Sequence, residues 1–231
     1  MQEREFDRFA DEYLALHAKN IQVSGETPEF FAAYKVADTA ELLAEKAYPD
    51  ALRILDFGAG IGTSVPHFRR HFPAGELTCL DVSGRSLEIG RSRFGDVANF
   101  VRFDGSVIPF PDESFDVVFT ACVFHHIDDS EHVKLLSEIR RVLVAGGTFV
   151  VFEHNPLNPL TVHAVNTCAF DENAKLIRAG HMSQRCRLAG FAKTTRHFRI
   201  FFPGALRRLR PLERYLRWLP LGAQYLIAAE K

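Results

Sequence analysis

The stretch "ILDFGAGIGTS", residues 54–64, decides the fold of this chain. Apolar residues lead into Asp56, and three glycines then follow at alternate positions: Gly58, Gly60 and Gly62. Glycine lets the backbone turn tightly and lets a ligand lie against it, because no side chain intervenes. The stretch therefore predicts a strand, a ligand-binding turn and a helix that begins near Thr63.

Strand-like and helical segments alternate around and after this stretch. Apolar runs typical of strands lie at residues 52–57, 77–82, 99–103, 115–123 and 147–154, and helical patterns at 64–71, 86–93 and 130–143 separate most of them. Nearly continuous apolar strands that alternate with helices indicate a parallel sheet covered on both faces. Two more strand candidates, 191–202 and 222–230, suit an antiparallel pair. We predict an α/β, doubly wound, Rossmann-like seven-stranded sheet, mostly parallel, with an antiparallel edge strand.

The segment before this sheet is predicted to be helical. Thr27 suits an N-cap, Pro28 the first helical position and Glu29 the first turn of a helix that would continue towards residue 48. We expect a single globular domain in which residues 1–48 form a helical lid and residues 49–231 form the ligand-binding part.

The glycine loop discriminates between ligand classes. A P-loop for nucleoside triphosphates needs a lysine within the loop, and neither Lys nor Arg occurs between Arg53 and Arg69. A dinucleotide site has GxGxxG spacing, whereas this loop has GxGxG, and Asp56 would repel a pyrophosphate. Asp56 can attract an ammonium group, while the free N–H groups of the following helix can bind a carboxylate. The loop therefore suits an amino-acid zwitterion.

Two further acidic residues follow the next strands. Asp81 ends the second predicted strand, where a carboxylate can accept both hydroxyls of a ribose. Asp104 follows the third, where an exocyclic adenine amine could donate to it. Each residue alone could be an ordinary loop or cap residue, but together with Asp56 they end three successive strands. The set indicates a nucleoside joined to a zwitterion.

Four segments, "ILDFGAGIGTS", "LDVS", "FDGSVIPFPDESFDVVFTACVFHHI" and "EIRRVLVAGGTFVVFEHN", stand in the order of a known family. Over roughly residues 52–154 the sequence resembles the class I S-adenosylmethionine-dependent methyltransferases, in particular the small-molecule group with a type 11-like domain. The resemblance implies S-adenosyl-L-methionine as cofactor, and "VAGGT" as the turn that feeds the fifth strand. It implies these cofactor contacts: Asp56, Gly58, Ala59, Gly60 and Gly62 for methionine, Asp81 for ribose, Val82, Asp104, Gly105 and Ser106 for adenine, and Tyr13, Tyr34 and Lys35 from the lid. For the three lid residues, ordinary packing or solvent exposure is the alternative that we favour.

A general base is needed only if the acceptor loses a proton when it is methylated. His125 and His126 follow the fourth strand, and His154 follows the fifth at the same edge of the sheet. A histidine with an ordinary pKa can act as a base near neutral pH. These three residues are the catalytic candidates, and the alternative is that they only line the pocket. We expect no metal site, because Cys79, Cys122, Cys168 and Cys186 lack metal-ligand spacing.

The predicted acceptor is a small molecule. Methyltransferases that modify the exocyclic amines of bases resemble one another in an Asn/Asp-Pro-Pro-aromatic run after the fourth strand. This chain has "ACVFHH" there, and no nucleic-acid-binding module is evident. Residues 152–176 and 219–231 resemble methyltransferases of sugar, surface-polysaccharide or secondary-metabolite assembly. That resemblance implies a nucleotide- or lipid-linked sugar, an anionic acceptor whose phosphates could meet the arginines Arg207, Arg208, Arg210, Arg214 and Arg217.

The arginine-rich tail leaves several interpretations open. Residues 178–231 hold 12 Lys/Arg against two Asp/Glu in a chain of net charge −1, so a basic part either meets anionic partners or docks against an acidic part. Five apolar residues are interleaved with the arginines: Leu206, Leu209, Leu212, Leu216 and Trp218. They permit an amphipathic helix on a membrane surface, but Pro211 interrupts it, and we expect core packing with a solvated basic face.

Other properties of the whole chain agree with a cytoplasmic enzyme. No apolar run approaches the roughly 20 residues of a membrane span, the charged N-terminus does not read as a secretory signal, and the plain interpretation of the four cysteines is reduced thiols. The oligomeric state is not predicted. Two other functions stay open: a nicotinamide-dependent oxidoreductase, and a non-catalytic S-adenosylmethionine-binding protein of the same fold.

Overall fold

The structure, a computed structural model, describes residues 21–168 and 171–231. Its strands are β1 (Arg53–Phe57), β2 (Glu76–Asp81), β3 (Asn99–Arg102), β4 (Phe115–Ala121), β5 (Leu143–His154), β6 (Lys193–Arg199) and β7 (Gln224–Glu230). Its α-helices are α1 (Pro28–Ala44), α2 (Val65–His71), α3 (Gly84–Phe94), α4 (His132–Val142), α5 (Pro159–Asn166) and α6 (Ala179–Leu188). Short 3-10 helices cover Ile21–Ser24, Phe124–His126, Asp129–Glu131 and Gly204–Tyr215.

The strands form one seven-stranded sheet in the order β3-β2-β1-β4-β5-β7-β6. The first five in this order are parallel, and β7 runs antiparallel to both β5 and β6. The predicted doubly wound, mostly parallel sheet is confirmed, and its edge strand β6 pairs antiparallel with β7. Because the chain leaves β1 in one direction and later returns to β4 on its other side, the carboxyl ends of these two strands flank a topological switch point, where such sheets bind ligands.

Helix α1 begins where its sequence predicts. The Thr27 hydroxyl accepts a hydrogen bond from the Phe30 backbone N–H at 3.2 Å, and Pro28 occupies the first turn. One face of α1 joins the apolar cluster on the sheet: Phe31, Tyr34, Val36 and Leu43 are buried there. Residues 1–20 of the predicted lid, including Tyr13, lie outside the described residues, so the 1–48 lid stays a prediction.

The sheet separates two apolar clusters, as the alternation along β1 requires. Leu55 and Phe57 face a cluster that includes α4 and α6, whereas Ile54 faces the cluster that includes α1, α2 and α3. Successive side chains of a strand point to opposite faces, so β1, β2, β4, β5 and β7 each contribute to both clusters. Burial on both faces holds the strand ends, and therefore the loops after them, in fixed positions.

The segment "VAGGT", residues 144–148, is not a separate turn before β5. In the β4–β5 pairing, Phe115 lies opposite Leu143 and Val117 opposite Thr148, so the partner advances five residues while β4 advances two. The glycines allow this irregularity, with Gly146 at a φ of 75°. The predicted turn is thus a bulge inside a longer strand.

The basic carboxyl-terminal part docks against α1. Arg199 pairs with Asp38 at 2.5 Å, and Arg217 pairs with Glu41 at 2.9 Å. The charge asymmetry had two interpretations, and the structure contains the contact that one of them requires, between a basic and an acidic part of the chain.

The expectation of core packing for the apolar residues of the arginine-rich segment is wrong. Leu206, Leu209, Leu212 and Trp218 are all exposed, and only Leu216 is partly buried. For Leu209 and Leu212 the physical reason is that they lie in a 3-10 helix, whose repeat is about three residues, so residues three apart share a face that here is turned to solvent. Leu206 lies at a kink and Trp218 follows the helix. Among the residues that the structure describes, no helix has the length and apolar character to cross a membrane.

Candidate functional site

A cavity of about 290 Å³ opens at the switch point of the sheet. Its walls come from α1, from the glycine loop after β1, from the loops after β4 and β5, and from the segment after β6. The predicted residues that line it are Asp56, Gly58, Ala59, Gly60, Asp81, His125, His126 and His154. The cofactor candidates of the first loop and the catalytic candidates therefore face one cavity.

Asp56 presents a buried oxygen to this cavity. The side chain is 2% exposed, and its Oδ2 atom has no hydrogen-bond partner among the described residues. Burial, and then the neighbouring charge of Asp81, raise the pKa of Asp56 to about 8, while Lys35 lowers it. A buried carboxyl oxygen without a partner is costly unless a ligand supplies a donor, so Asp56 fits an ammonium group.

The glycine loop adopts a conformation that favours glycine. Gly58, Gly60 and Gly62 have φ values of 78°, 52° and 74°. A Cβ atom on Gly58 would lie 2.4 Å from a methyl group of Val123, so the loop also passes too close to the β4 loop for a side chain. The loop therefore offers bare backbone to whatever occupies the cavity.

Asp81 is held in place by two backbone donors. Its Oδ2 atom accepts from the Gly60 N–H at 2.8 Å, and its Oδ1 atom accepts from the Ser83 N–H at 2.9 Å. Each carboxylate oxygen has a further lone pair, so the group can still accept from ribose hydroxyls. The contact with Gly60 fixes the carboxylate of β2 relative to the loop of β1.

The cofactor candidates of the loop after β3, together with Gly62 and Val82, lie outside the residues that line the cavity. Asp104 is exposed, and its Oδ1 atom accepts from the backbone N–H groups of Ser106 and Val107 at 2.8 and 3.0 Å. These bonds order the loop and lower the pKa of Asp104 to about 2. Gly62, Val82, Gly105 and Ser106 are also not among the lining residues. Their proposed adenine and methionine contacts stay predictions.

His125 is enclosed between two carboxylates. Its Nδ1 atom lies 2.6 Å from Glu153 Oε2, and its Nε2 atom lies 3.6 Å from Asp171 Oδ1. Burial lowers the pKa of His125, but the charge of Glu153 and the hydrogen bonds to Asp171 and Glu153 outweigh it and raise the pKa to about 10. At neutral pH this ring is an imidazolium.

His126 has the opposite protonation preference. Its Nε2 atom lies 3.3 Å from Asp171 Oδ1. Burial lowers its pKa, the hydrogen bond to Asp171 raises it, and the adjacent charge of His125 lowers it again, with a net shift downward. The two neighbouring histidines therefore have different chemistry: His125 holds a proton, and His126 is neutral and lines the cavity.

Asp171 and Glu153 complete this cluster. Glu153 Oε1 also accepts from the backbone N–H groups of Val123 and Phe124, at 3.0 and 2.7 Å, so it fixes the loop after β4. Burial raises the pKa of Asp171, but hydrogen bonds to the two histidines lower it far below the usual range. Glu153 lies near the end of β5, directly before the catalytic candidate His154, whereas Asp171 gave no sequence signal because it lies in an irregular segment.

The side chains of His125, His126 and Asp171 also have the separation of a metal-binding group. Their ligand atoms all lie within 4.8 Å of one another. A cation there would compete with the proton on His125, because a metal ligand must be unprotonated. The prediction that the chain has no metal site stays a prediction.

Lys35 and Cys122 form the polar wall opposite the glycine loop. Lys35 Nζ donates to Cys122 Sγ at 3.3 Å, and Gln224 Nε2 lies 3.7 Å from the same sulfur. Burial raises the pKa of Cys122, but His154 and Lys35 outweigh it and lower the pKa to about 7. Lys35, for which ordinary packing was favoured, is a cavity residue, and Tyr34 instead donates to the side chain of Gln224.

The comparisons with known proteins agree with this geometry. Residues 55–151 match the family described as "Methyltransferase domain". The chain is 32% identical, over 124 residues, to the ubiquinone/menaquinone biosynthesis C-methyltransferase of Hahella chejuensis, covering 51% of this chain and 49% of that protein. It is 37% identical, over 106 residues, to the demethylmenaquinone methyltransferase of Thermotoga maritima, covering 46% of this chain and 45% of that protein. The chain thus spans about half the length of these curated relatives.

Solved structures share the fold. A S-adenosylmethionine-dependent methyltransferase of Thermotoga maritima has a TM-score of 0.68 at 20% identity, with 99% of both chains covered. Phosphoethanolamine N-methyltransferase 2 of Haemonchus contortus, in complex with S-adenosyl-L-methionine, has a TM-score of 0.61 at 20% identity, covering 84% of this chain and 52% of that one. At this identity the likeness concerns the fold.

Proposed function

We propose that this chain, whose residues 55–151 match the family described as "Methyltransferase domain", is a class I S-adenosylmethionine-dependent methyltransferase that transfers a methyl group from S-adenosylmethionine to a small-molecule acceptor. The family match favours this function over the nicotinamide-dependent oxidoreductase. The single observation that carries the proposal is the unpartnered, buried Oδ2 atom of Asp56 beside the glycine loop in the cavity. Such an oxygen calls for a cationic donor, which the methionine end of the cofactor has and a pyrophosphate lacks.

The residues present fit the cofactor. Asp56 would accept from its ammonium group, the backbone of Gly58 to Gly60 would lie against its methionine chain, and Asp81 would accept from its ribose. When bound, S-adenosylmethionine supplies a methyl group on a positively charged sulfur, an already activated donor. The contribution of the protein is therefore alignment of the acceptor, exclusion of water and removal of an acceptor proton.

His126 is proposed as the base that removes this proton. A neutral ring whose Nε2–H donates a hydrogen bond to Asp171 carries its lone pair on Nδ1. Asp171 then stabilises the imidazolium that forms when the acceptor proton arrives, as a carboxylate orients a catalytic imidazole elsewhere. His125, already protonated, serves as a positioning residue, and His154 is the remaining catalytic candidate.

The acceptor is proposed to be anionic and partly apolar. Among the lining residues that the structure describes, Lys35 is the only Lys or Arg, and Phe31, Leu160 and Phe201 supply apolar surface. None of the five arginines expected to meet phosphates lines the cavity. Recognition of an anion is therefore assigned to Lys35, and nucleotide- or lipid-linked sugars and secondary metabolites remain the candidate acceptors. A cytoplasmic location is part of the same proposal.

The proposal is tested by titration calorimetry with S-adenosylmethionine and its demethylated product. We expect saturable binding that Asp81→Ala weakens at least tenfold, since the variant loses a ribose acceptor and the anchor of Gly60. Asp112→Ala, which removes an exposed carboxylate outside the cavity, is the matched control and should bind as the original chain does. Saturation by NADH without a response to S-adenosylmethionine would overturn the proposal.

Transfer itself needs a separate measurement. Labelled cofactor is incubated with a panel of nucleotide sugars, phenols and quinol precursors, and transferred label is counted. Label in an acceptor supports an enzyme. Binding without transfer to any member of a broad panel would instead favour the non-catalytic cofactor-binding protein.

Cofactor affinity is expected to rise with pH because Asp56 loses its proton. Because the pKa of Asp56 is raised to about 8, the group is mostly neutral at pH 6, and binding an ammonium group requires it to release its proton. Affinity should therefore increase up to about tenfold between about pH 6 and pH 7, and level off where the cofactor amine itself loses its proton, at about 8. Calorimetry in buffers of different ionisation enthalpy measures the released proton.

A matched pair of variants isolates this effect. Asp56→Asn removes the titrating group and should give an affinity that is weaker and independent of pH over this range. Asp112→Asn should retain the slope, because it changes only an exposed carboxylate. An affinity of the original chain that is constant from pH 6 to pH 7, without proton release, would contradict the assignment of Asp56 to the ammonium group.

A further inference from the structure

The 3-10 helix Gly204–Tyr215 carries a row of exposed apolar side chains. In a 3-10 helix, residues three apart lie one above the other. Leu209, Leu212 and Tyr215 have this spacing inside the helix, whereas Leu206 lies at a kink and Trp218 and Leu221 follow the helix at the same sequence spacing. The six side chains, each between 40% and 73% exposed, are Leu206, Leu209, Leu212, Tyr215, Trp218 and Leu221. We name these six residues the apolar row. Large apolar side chains at every third position, all exposed, form an unusual surface for a monomeric protein.

The opposite side of this helix is fixed to the domain. The buried Glu213 carboxylate accepts from the backbone N–H groups of Ile200, Phe201 and Phe202 at 3.2, 3.0 and 3.1 Å. Arg210 donates to Glu26 at 2.5 Å and lies over the ring of Phe30. These contacts hold Arg210 and Glu213 against the protein. The helix cannot roll to bury the apolar row without breaking them.

Basic residues flank the apolar row. Arg207, Arg208 and Arg214 are exposed, and none of them has an ion pair within the described part of the chain. Arg214 lies over the ring of Tyr215 at 4.7 Å. A second copy of this chain would bring these like charges together across a twofold axis, which disfavours a symmetric dimer through this surface. An anionic partner is favoured instead.

We propose that the apolar row and its flanking arginines form a docking surface for an anionic lipid bilayer. Leucines beside a tryptophan and a tyrosine suit the boundary between acyl chains and headgroups, where aromatic rings are enriched. The guanidinium groups of Arg208 and Arg214 then lie at the level of the lipid phosphates. The two features together select a charged membrane surface over a neutral one. This binding does not depend on the reaction in the cavity.

Trp218 makes the test direct, because it is the only tryptophan of the chain. The protein is mixed with vesicles of phosphatidylcholine alone or with an equal amount of phosphatidylglycerol, and the vesicles are sedimented. We expect the protein in the pellet with anionic vesicles only, less of it at high salt, and a blue-shifted Trp218 emission that brominated acyl chains quench. Absence of sedimentation at low salt, or unchanged Trp218 emission, overturns the proposal.

Variants separate the two parts of the surface. Arg208→Ala/Arg214→Ala is expected to lower the vesicle partition coefficient by at least about tenfold, since each basic residue contributes through the surface potential. Leu209→Ser/Leu212→Ser should lower it comparably, while Leu188→Ser, at an exposed leucine of α6, should not change it. Thermal melting verifies that each variant is folded, and the Trp218 measurement needs no variant.

A concentration-dependent dimer that Leu209→Ser/Leu212→Ser abolishes would assign the surface to a second copy and overturn the membrane proposal.

Discussion

Replacing His126 with glutamine is expected to lower kcat by about a hundredfold to ten-thousandfold for an acceptor that loses a proton, because this is the usual contribution of a positioned base. Cofactor affinity should change little, since the proposed cofactor contacts are the glycine loop and Asp81. The pH dependence of kcat/KM, measured at substrate concentrations below saturation, should provide a second test. The lowered pKa of His126 places the acidic limb of kcat/KM below pH 6.5, so activity is lost as the pH falls through that limb. The limb should vanish in His126→Gln.

Three comparisons make this result specific. His163→Gln, which changes an exposed histidine of α5, should keep full activity. His154→Gln tests the remaining candidate, and a larger loss there than in His126→Gln would reassign the base. Dialysis against a chelator is expected to leave the rate unchanged. Loss of activity that an added divalent cation restores would identify His125, His126 and Asp171 as metal ligands instead.

The sequence was sufficient for the parts of the fold that local pattern controls. Strand β1 could be predicted because its apolar run is buried on both faces, and Asp56 because it interrupts that run before a glycine loop. Residues at strand ends are predictable in the same way, since the parallel sheet brings Asp56, Asp81 and Glu153 to one edge. These relations depend on topology alone.

The rest of the site depends on contacts between distant segments. Asp171 lies in an irregular loop, and only the folded chain brings it to the two histidines after β4. The different protonation of His125 and His126 follows from that contact, so their adjacency in the sequence gave no means to choose between them. The expected core packing of the apolar residues in the arginine-rich segment was wrong for a related reason: whether Leu206, Leu209, Leu212 and Trp218 are exposed depends on how the folded segment lies on the domain.

Replacing Glu153 with alanine is expected to reduce the free energy of unfolding by about 3–5 kcal/mol, the cost of leaving a buried charge without its partner. The variant removes the carboxylate beside the His125 imidazolium and the acceptor of two backbone N–H groups. Urea unfolding measures the loss, and Glu88→Ala, at an exposed pair with Arg85, should change stability by at most about 0.5 kcal/mol.

The pH dependence of this stability has a defined sign. Because the pKa of His125 is raised from 6.5 to about 10 in the folded chain, its stabilising contribution is complete below about pH 6.5 and is lost as the pH rises through about 10. Glu153→Gln, which keeps the shape but removes the charge, should flatten this decline, and an equally steep decline in that variant would show that the His125–Glu153 pair does not hold the proton.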